Sequence, residues 1–230
     1  EADFVLLDLG AGLMYDILDF FLSCDRGILV TCPTPLSVKY TFGFLKAATY
    51  RSISKTCLDD LVVRQGLKNM AARGFKPTMF QFLAEIESES ASSAETVRRC
   101  LNERSRALVL NMVMQRGELA DAARLVSDAS RKLGVTMDFL GYLSFDAAVR
   151  HSVRRLIPFV ADAPKSKASR ELLKMVVEKI LPLRGAKNRE DRALYQEATR
   201  KLKGYGDRLA HGQTRVNVTP SIESWAARPE

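Results

Sequence analysis

One stretch near the start restricts this chain more than any other: Phe4-Val5-Leu6-Leu7-Asp8-Leu9-Gly10-Ala11-Gly12. Four apolar residues without polar alternation read as a strand buried on both faces, as in a parallel sheet between helix layers. The run ends in a carboxylate, and the carboxyl ends of strands are where open α/β sheets bind ligands. Two glycines follow and let the backbone turn tightly beside whatever Asp8 holds. A buried strand that merely ends in Asp before a turn is the plain alternative. The chain enters this run directly from Glu1-Ala2-Asp3, without a methionine. That start reads as lacking a signal peptide and as continuing a longer polypeptide.

Three later runs repeat the pattern: Ile28–Cys32, Leu108–Val113 and Phe139–Leu143. Between them the apolar spacing is helical. Met14–Leu22 is expected to be a short helix; Pro33-Thr34-Pro35 a loop, because prolines do not sit inside a strand or helix; and Ser37 the N-cap of the next helix. From Lys55 to Arg106 no strand-like run occurs. Helices are expected over Leu58–Ala72, from Pro77-Thr78, and over Ala94–Arg104, with Ser88–Ser93 as a loop. A further helix, Glu118–Leu133, is stopped by Gly134. Ser144-Phe145-Asp146 leads into a helix carrying Arg150, Arg154 and Arg155. Ser169 is expected to cap the helix whose core stripe is Leu172, Val176, Val177, Ile180 and Leu181. Strands alternating with helices define an α/β fold with a mostly parallel sheet, helices on both faces, and a helical insertion over about 55–106.

Composition narrows the function classes. The 230 residues are 47% apolar and 27% charged, and no apolar stretch is long enough to span a bilayer. Cys24, Cys32, Cys57 and Cys100 are scattered, which argues against a zinc site or disulfide framework and for a reducing, cytoplasmic location. With His151 and His211 the only histidines, a His-based metal cluster or triad has almost no material. A formal charge of +8 makes contact with nucleic acid, anionic lipid or nucleotide phosphates plausible, a solvated basic surface being the alternative.

The separated features fall in one order: strand-Asp-x-Gly-x-Gly, Asp25 before a strand ending in Pro33-Thr34-Pro35-Leu36-Ser37, a strand ending in Asn111, then Leu140-Gly141-Tyr142-Leu143 with Asp146, Ser152 and Pro158. This order resembles that of the MinD/ParA-type deviant Walker ATPases, including the flagellar-number regulators related to FlhG. The resemblance covers residues 3–183, apart from the insertion. It implies a P-loop NTPase-like nucleotide-binding domain over 1–183, incomplete at its N-terminus, with 184–230 as a polar helix and tail.

By the same resemblance Asp8 is the Walker B aspartate, the catalytic carboxylate that holds Mg²⁺ through water. Mg²⁺ keeps several waters while taking a carboxylate and phosphate oxygens. Gly10 and Gly12 stand at the turn facing the terminal phosphate, and Asn111 reads the adenine edge with a donor and an acceptor. Ser144, Asp146 and Arg150 fall in the loop and helix start that close over the base. Ser144 replaces a proline common in relatives, and Thr34 replaces a glutamate. No Gly-rich stretch followed by Lys and Ser/Thr occurs, so the P-loop and the deviant lysine are missing from this chain.

The resemblance therefore implies the C-terminal part of an ATPase that binds ATP/ADP and Mg²⁺, forms a homodimer, and switches a process such as flagellar placement, division or partition. This chain alone is not expected to hydrolyse ATP. Two alternatives stand beside it. One is a non-catalytic protein-interaction module on the same sheet. The other is a basic nucleic-acid-binding module using Arg150, Arg154, Arg155, Lys165 and Lys167. Peripheral membrane contact through the polar helix at 188–209 is the least favoured.

Overall fold

A computed structural model describes residues 5–74 and 77–180; the expectations for 184–230, and for Leu181, lie outside the described residues. The chain divides into two compact units, residues 1–145 and 146–230.

The first unit is α/β. Its sheet has three strands, β1 (Arg26–Thr31), β2 (Ser105–Val113) and β3 (Asp138–Ser144), in the order β1-β2-β3. Both pairings are parallel, with Ile28 opposite Ala107 and Leu108 opposite Phe139. β2 is central, and successive residues of both alternations (Arg106 to Leu110) are buried. That is why its sequence is a continuous apolar run rather than an alternating one.

The apolar run at the start does not extend this sheet. Phe4 lies outside the described residues, and Val5–Leu9 has no strand conformation and no ladder partner. Leu6 is 87% exposed. Hydrophobicity alone does not make a strand, because the ladder bonds come from a neighbour. β1 is bonded on one side only, so it ends the sheet.

Helix α1 (Tyr15–Ser23) buries Leu18, Phe21 and Leu22 and packs against α2 (Pro35–Thr56). Asp19 on α1 accepts two hydrogen bonds from Arg51 on α2, at 2.9 and 2.8 Å, and pairs with Lys55. The Arg51 bonds hold the Asp19 carboxyl down at about 2. Arg51 also lies over the Tyr15 ring.

The cap of α2 is Thr34 rather than Ser37: Thr34 Oγ1 accepts from the Ser37 N–H, and Pro35 occupies the first turn. Proline suits that place because its missing N–H would have no helical partner there. The second proline of Pro33-Thr34-Pro35 therefore begins the helix instead of prolonging the loop.

The expected insertion is built of helices joined by short turns, α3 (Leu61–Ala72), α4 (Met79–Glu89) and α5 (Ala91–Asn102), with β2 already under way by Arg106. Asp60 caps α3, and Thr78 and Gln81 form a capping box on α4. The expected loop Ser88–Ser93 shrinks to one residue. Ser90 ends α4 with its N–H on Ile86 O and caps α5 by accepting from the Ser93 N–H. Helix α6 (Leu119–Leu133) ends at Gly134, whose φ of 64° closes a left-handed cap. The core joins α1–α6 to one alternation of the strands, Leu45, Ile53, Met70, Phe82 and Ile86 belonging to one buried cluster with Leu108 and Leu110.

The second unit, as far as it is described, holds α7 (Ala147–Arg154), α8 (Phe159–Asp162) and α9 (Lys167–Met175), the last continuing as a π-helical stretch to Ile180. Ser166, not Ser169, caps α9. Ser169 turns inward, its hydroxyl donating to Ala163 O at 2.7 Å. The expected core stripe Leu172, Val176, Val177 and Ile180 is only partly buried, and Met175 is the buried apolar residue there.

Candidate functional site

The carboxyl ends of three parallel strands form the edge where an α/β sheet places its ligands. In the first unit that edge carries Thr31 and the Cys32–Thr34 turn after β1, Asn111–Met114 at the end of β2, and Ser144–Phe145 at the end of β3.

Asn111 lies two residues before the end of β2, which runs on to Val113, and half of its carboxamide is in use. Its Oδ1 accepts from the Met112 N–H at 2.9 Å. Met112 has a φ of 59°, and the β2–β3 register breaks between Leu110 and Val113. Asn111 thus stabilises a bulge with a left-handed residue, a feature that re-aims side chains at sheet rims. The Asn111 amide nitrogen remains as the donor of the pair. Beyond the bulge, Phe145 N–H donates to Val113 O at 2.8 Å, which brings the end of β3 beside the end of β2. Met112, Met114 and Phe145 are all exposed there. The edge therefore offers an amide donor beside an apolar rim of two thioethers and a ring, suited to a flat heteroaromatic base. The sequence reading did not single out these three residues. Two methionines flanking the last residue of a buried strand were the available signal.

Thr31 is buried, and its hydroxyl has no partner. Ser144 is buried at the end of β3 and is engaged. Thr34, at the position where the resemblance places a glutamate, is committed to the cap of α2.

Asp8 is exposed and makes no hydrogen bond or ion pair among the described residues. A free carboxylate fits water-mediated Mg²⁺, which needs one or two such groups and phosphate oxygens rather than an all-protein cage. No group of three or more His, Cys, Asp or Glu among the described residues is arranged to hold a metal. A Cβ at Gly10 would meet nothing within 4 Å, and one at Gly12 would touch only the tip of Ile17. Packing within this chain does not require glycine at position 10.

Asp146 and Arg150 belong to the second unit. Asp146 caps α7 through Oδ1, which accepts from Ala148 N–H at 2.9 Å, and its Oδ2 accepts from Ala168 N–H at 3.1 Å at the start of α9. These amides, Ala148 first, hold its carboxyl below the usual carboxylate range. Arg150 is exposed and lines a concavity of about 260 Å³ with Ala147, His151 and Arg154.

No helix among the described residues is long and apolar enough to cross a membrane. No protein-family model matches the chain, and no curated protein matches it.

Proposed function

We propose that this chain is the C-terminal part of a MinD/ParA-like ATP-binding protein, a dimerising switch used in spatial regulation, whose phosphate-binding strand and loop lie upstream. The observation that carries the reading is the open flank of the sheet. β1 is an edge strand, yet Val30 within it is 61% exposed, and an apolar segment, Val5–Leu7, stands unpaired before Asp8. An apolar, one-sided strand is a template for another strand, and proteins ordinarily blunt such edges. One further parallel strand beside β1 would cover Val30, and the Phe4–Leu7 run could then pair beyond it. The orphaned Thr31 hydroxyl at the end of β1 also accords with a missing neighbour.

On this reading Asp8 holds Mg²⁺ through water, and the ion neutralises charge on the phosphates. Asn111 donates to the adenine edge while the Met112–Met114–Phe145 rim packs against the ring. Asp146 sets the start of α7 rather than touching the base, because both of its oxygens accept backbone amides.

The test uses the protein with its upstream sequence restored. Asp8→Ala is expected to lower ATP turnover at least tenfold, about 1.4 kcal/mol of transition-state stabilisation. Unchanged turnover would remove Asp8 from the metal site. The exposed Met112, Met114 and Phe145 at the carboxyl edge favour, as a second reading, a non-catalytic module that kept the sheet for protein contacts. Absence of any ATP binding by the restored protein would select it.

A further inference from the structure

A polar spot interrupts the apolar core of the first unit where α2 meets α5. Cys100 on α5 is buried, and its Sγ lies 3.2 Å from Ser52 Oγ and 3.4 Å from Thr56 Oγ1, two hydroxyls one turn apart on α2. Cys57 is the residue after Thr56 and forms the C-cap of α2. Consecutive Cα atoms stand about 3.8 Å apart, so Cys57 follows directly on the hydroxyl that touches Cys100. Its side chain is buried in the same cluster, and both cysteines are free thiols. Burial, and after it the nearby Cys100 sulfur, pushes the Cys57 thiol up to about 11.

A cation closes the same seam. Arg106 is 3% exposed, and its Nη1 donates to Leu101 O at 3.0 Å and to Arg104 O at 3.2 Å, just past Cys100. Its Nη2 is buried without a partner, and Arg106 forms no ion pair among the described residues. Buried charges are ordinarily paired, because an uncompensated one is costly. Burial holds the Arg106 guanidinium below its usual range, and the Cys100 sulfur acts in the opposite direction. The nucleotide reading of the first unit uses none of these groups.

We propose that Cys100 and Cys57 form a hydroperoxide-driven thiol–disulfide switch at the root of the helical insertion, with Arg106 steadying the charge that develops as Cys100 reacts. The Cys100 sulfur attacks one peroxide oxygen. An S–O bond forms, the O–O bond breaks, the thiol proton passes to the leaving oxygen as water, and Cys100 becomes a sulfenic acid. Cys57 then attacks that sulfur. An S–S bond forms, and the departing hydroxide takes the Cys57 proton away as water. The dithiol is oxidised and the peroxide reduced. Both thiols are closed to solvent, so the reaction waits on opening at the α2 C-cap, and helix ends are among the first places to open. The link closes a loop that contains α3 and α4, which fastens both ends of the insertion and restricts its unfolded chain.

The experiment treats the whole chain with hydrogen peroxide, blocks free thiols with N-ethylmaleimide, and maps unreduced peptides by mass spectrometry. The expected product is a pair of peptides joined through Cys57 and Cys100 and parted by dithiothreitol. Amide exchange over α3 and α4 should slow in the joined form and recover on reduction. In Cys57→Ser, dimedone should label Cys100, whose sulfenic acid has lost its partner. In Cys100→Ser, neither the link nor a label at Cys57 should form. Arg106→Gln should slow the link about tenfold, and Arg106→Lys should restore most of the rate, a rescue that packing alone would not give. The serine variants keep the shape of the seam, so the pair is tested even where circular dichroism shows Arg106→Gln unfolded. The proposal is overturned by absence of the link, by links through Cys24 or Cys32 that form as readily, by unchanged exchange in α3 and α4 after oxidation, or by equal rates in folded Arg106→Gln and the parent.

Discussion

The two units are built on different physics. In residues 5–145 the fully buried side chains are large and apolar, Phe82, Leu45, Ile53, Met70 and Ile86 among them, and volume specifies how α2–α6 meet the sheet. In residues 146–180 the buried set is Ser152, Ala168, Ser169 and Met175. Those helices are positioned by hydroxyls and carboxylates instead. Asp146 joins the starts of α7 and α9, Ser152 lies 2.8 Å from Asp162, and Ser169 bonds Ala163 O. A core held by volume tolerates surface charge of either sign. Over 146–180, helices held by capping bonds leave most side chains on the surface, and there Lys and Arg outnumber Asp and Glu.

This contrast is sharpest where a ring is removed. Phe82→Ala in the first unit is expected to cost about 3–5 kcal/mol, because the ring is wholly buried and the cavity relaxes only in part. Met175→Ala, the nearest counterpart in the second, is expected to fall at or below the lower end of the range for buried methionines, about 2 kcal/mol. Urea unfolding of each variant, followed by amide exchange in α4 and in α9, checks both. Equal losses would mean that the second unit also rests on a packed core.

The next test removes a hinge of bonds. Asp146→Ala is expected to cost about 1–2 kcal/mol, the upper range for a lost N-cap, since two helix starts lose an acceptor. Protection should fall over α7 and α9 while α2 and α5 keep theirs. The effect depends on pH with a definite sign. The native carboxyl of Asp146 lies below its unfolded value, so its contribution is complete above that unfolded value and is lost as pH falls through the native one. Amide exchange between about pH 5 and about pH 2 should show α7 and α9 opening on acidification in the parent and not further in Asp146→Ala. Asp19 titrates in the same direction, at about 2 through Arg51, but it is backed by buried Leu18, Phe21 and Leu22. The α1–α2 contact should outlast the α7–α9 contact in acid.

Much of the first unit was legible in sequence because its signals are local. β1, β2 and β3 are continuous apolar runs, and α6 ends where Gly134 supplies a positive φ. What the sequence misplaced depends on neighbours. Phe4–Leu7 has the composition of a strand, but Val5–Leu7 lacks a partner. Ser37 and Ser169 look like caps, but each sits three residues after the residue that takes the role, Thr34 and Ser166. In both cases the earlier hydroxyl precedes Pro or Lys at the first helical position, and the later serine supplies the N–H it accepts. At the candidate site, Asn111 was readable as the polar residue near the carboxyl end of a buried strand. Its engagement with Met112 was not, since a bulge arises from the register between two strands far apart in sequence. The basic face of α7 was partly readable as a run of arginines, but only the Asp162 contact separates Arg155 from Arg150 and Arg154.

The smallest effect concerns the end of α7, where the two kinds of construction meet in one residue. Leu156 has a φ of 55° and is 83% exposed. Its N–H bonds Val153 O, and the next N–H, that of Ile157, bonds Ser152 O, closing the helix with the left-handed residue that glycine usually supplies. An L-residue in that region costs about 1–2 kcal/mol, and an exposed leucine recovers little by burial. Glycine there would relieve the strain but would give up about 0.5–1 kcal/mol through its freer unfolded chain. The balance expected for Leu156→Gly is stabilisation of the second unit by about 0.5–1 kcal/mol, read as slower amide exchange in α7. A loss of stability would show that the Leu156 side chain packs on something in solution, and the second unit would then hold an apolar contact that its capping bonds do not account for.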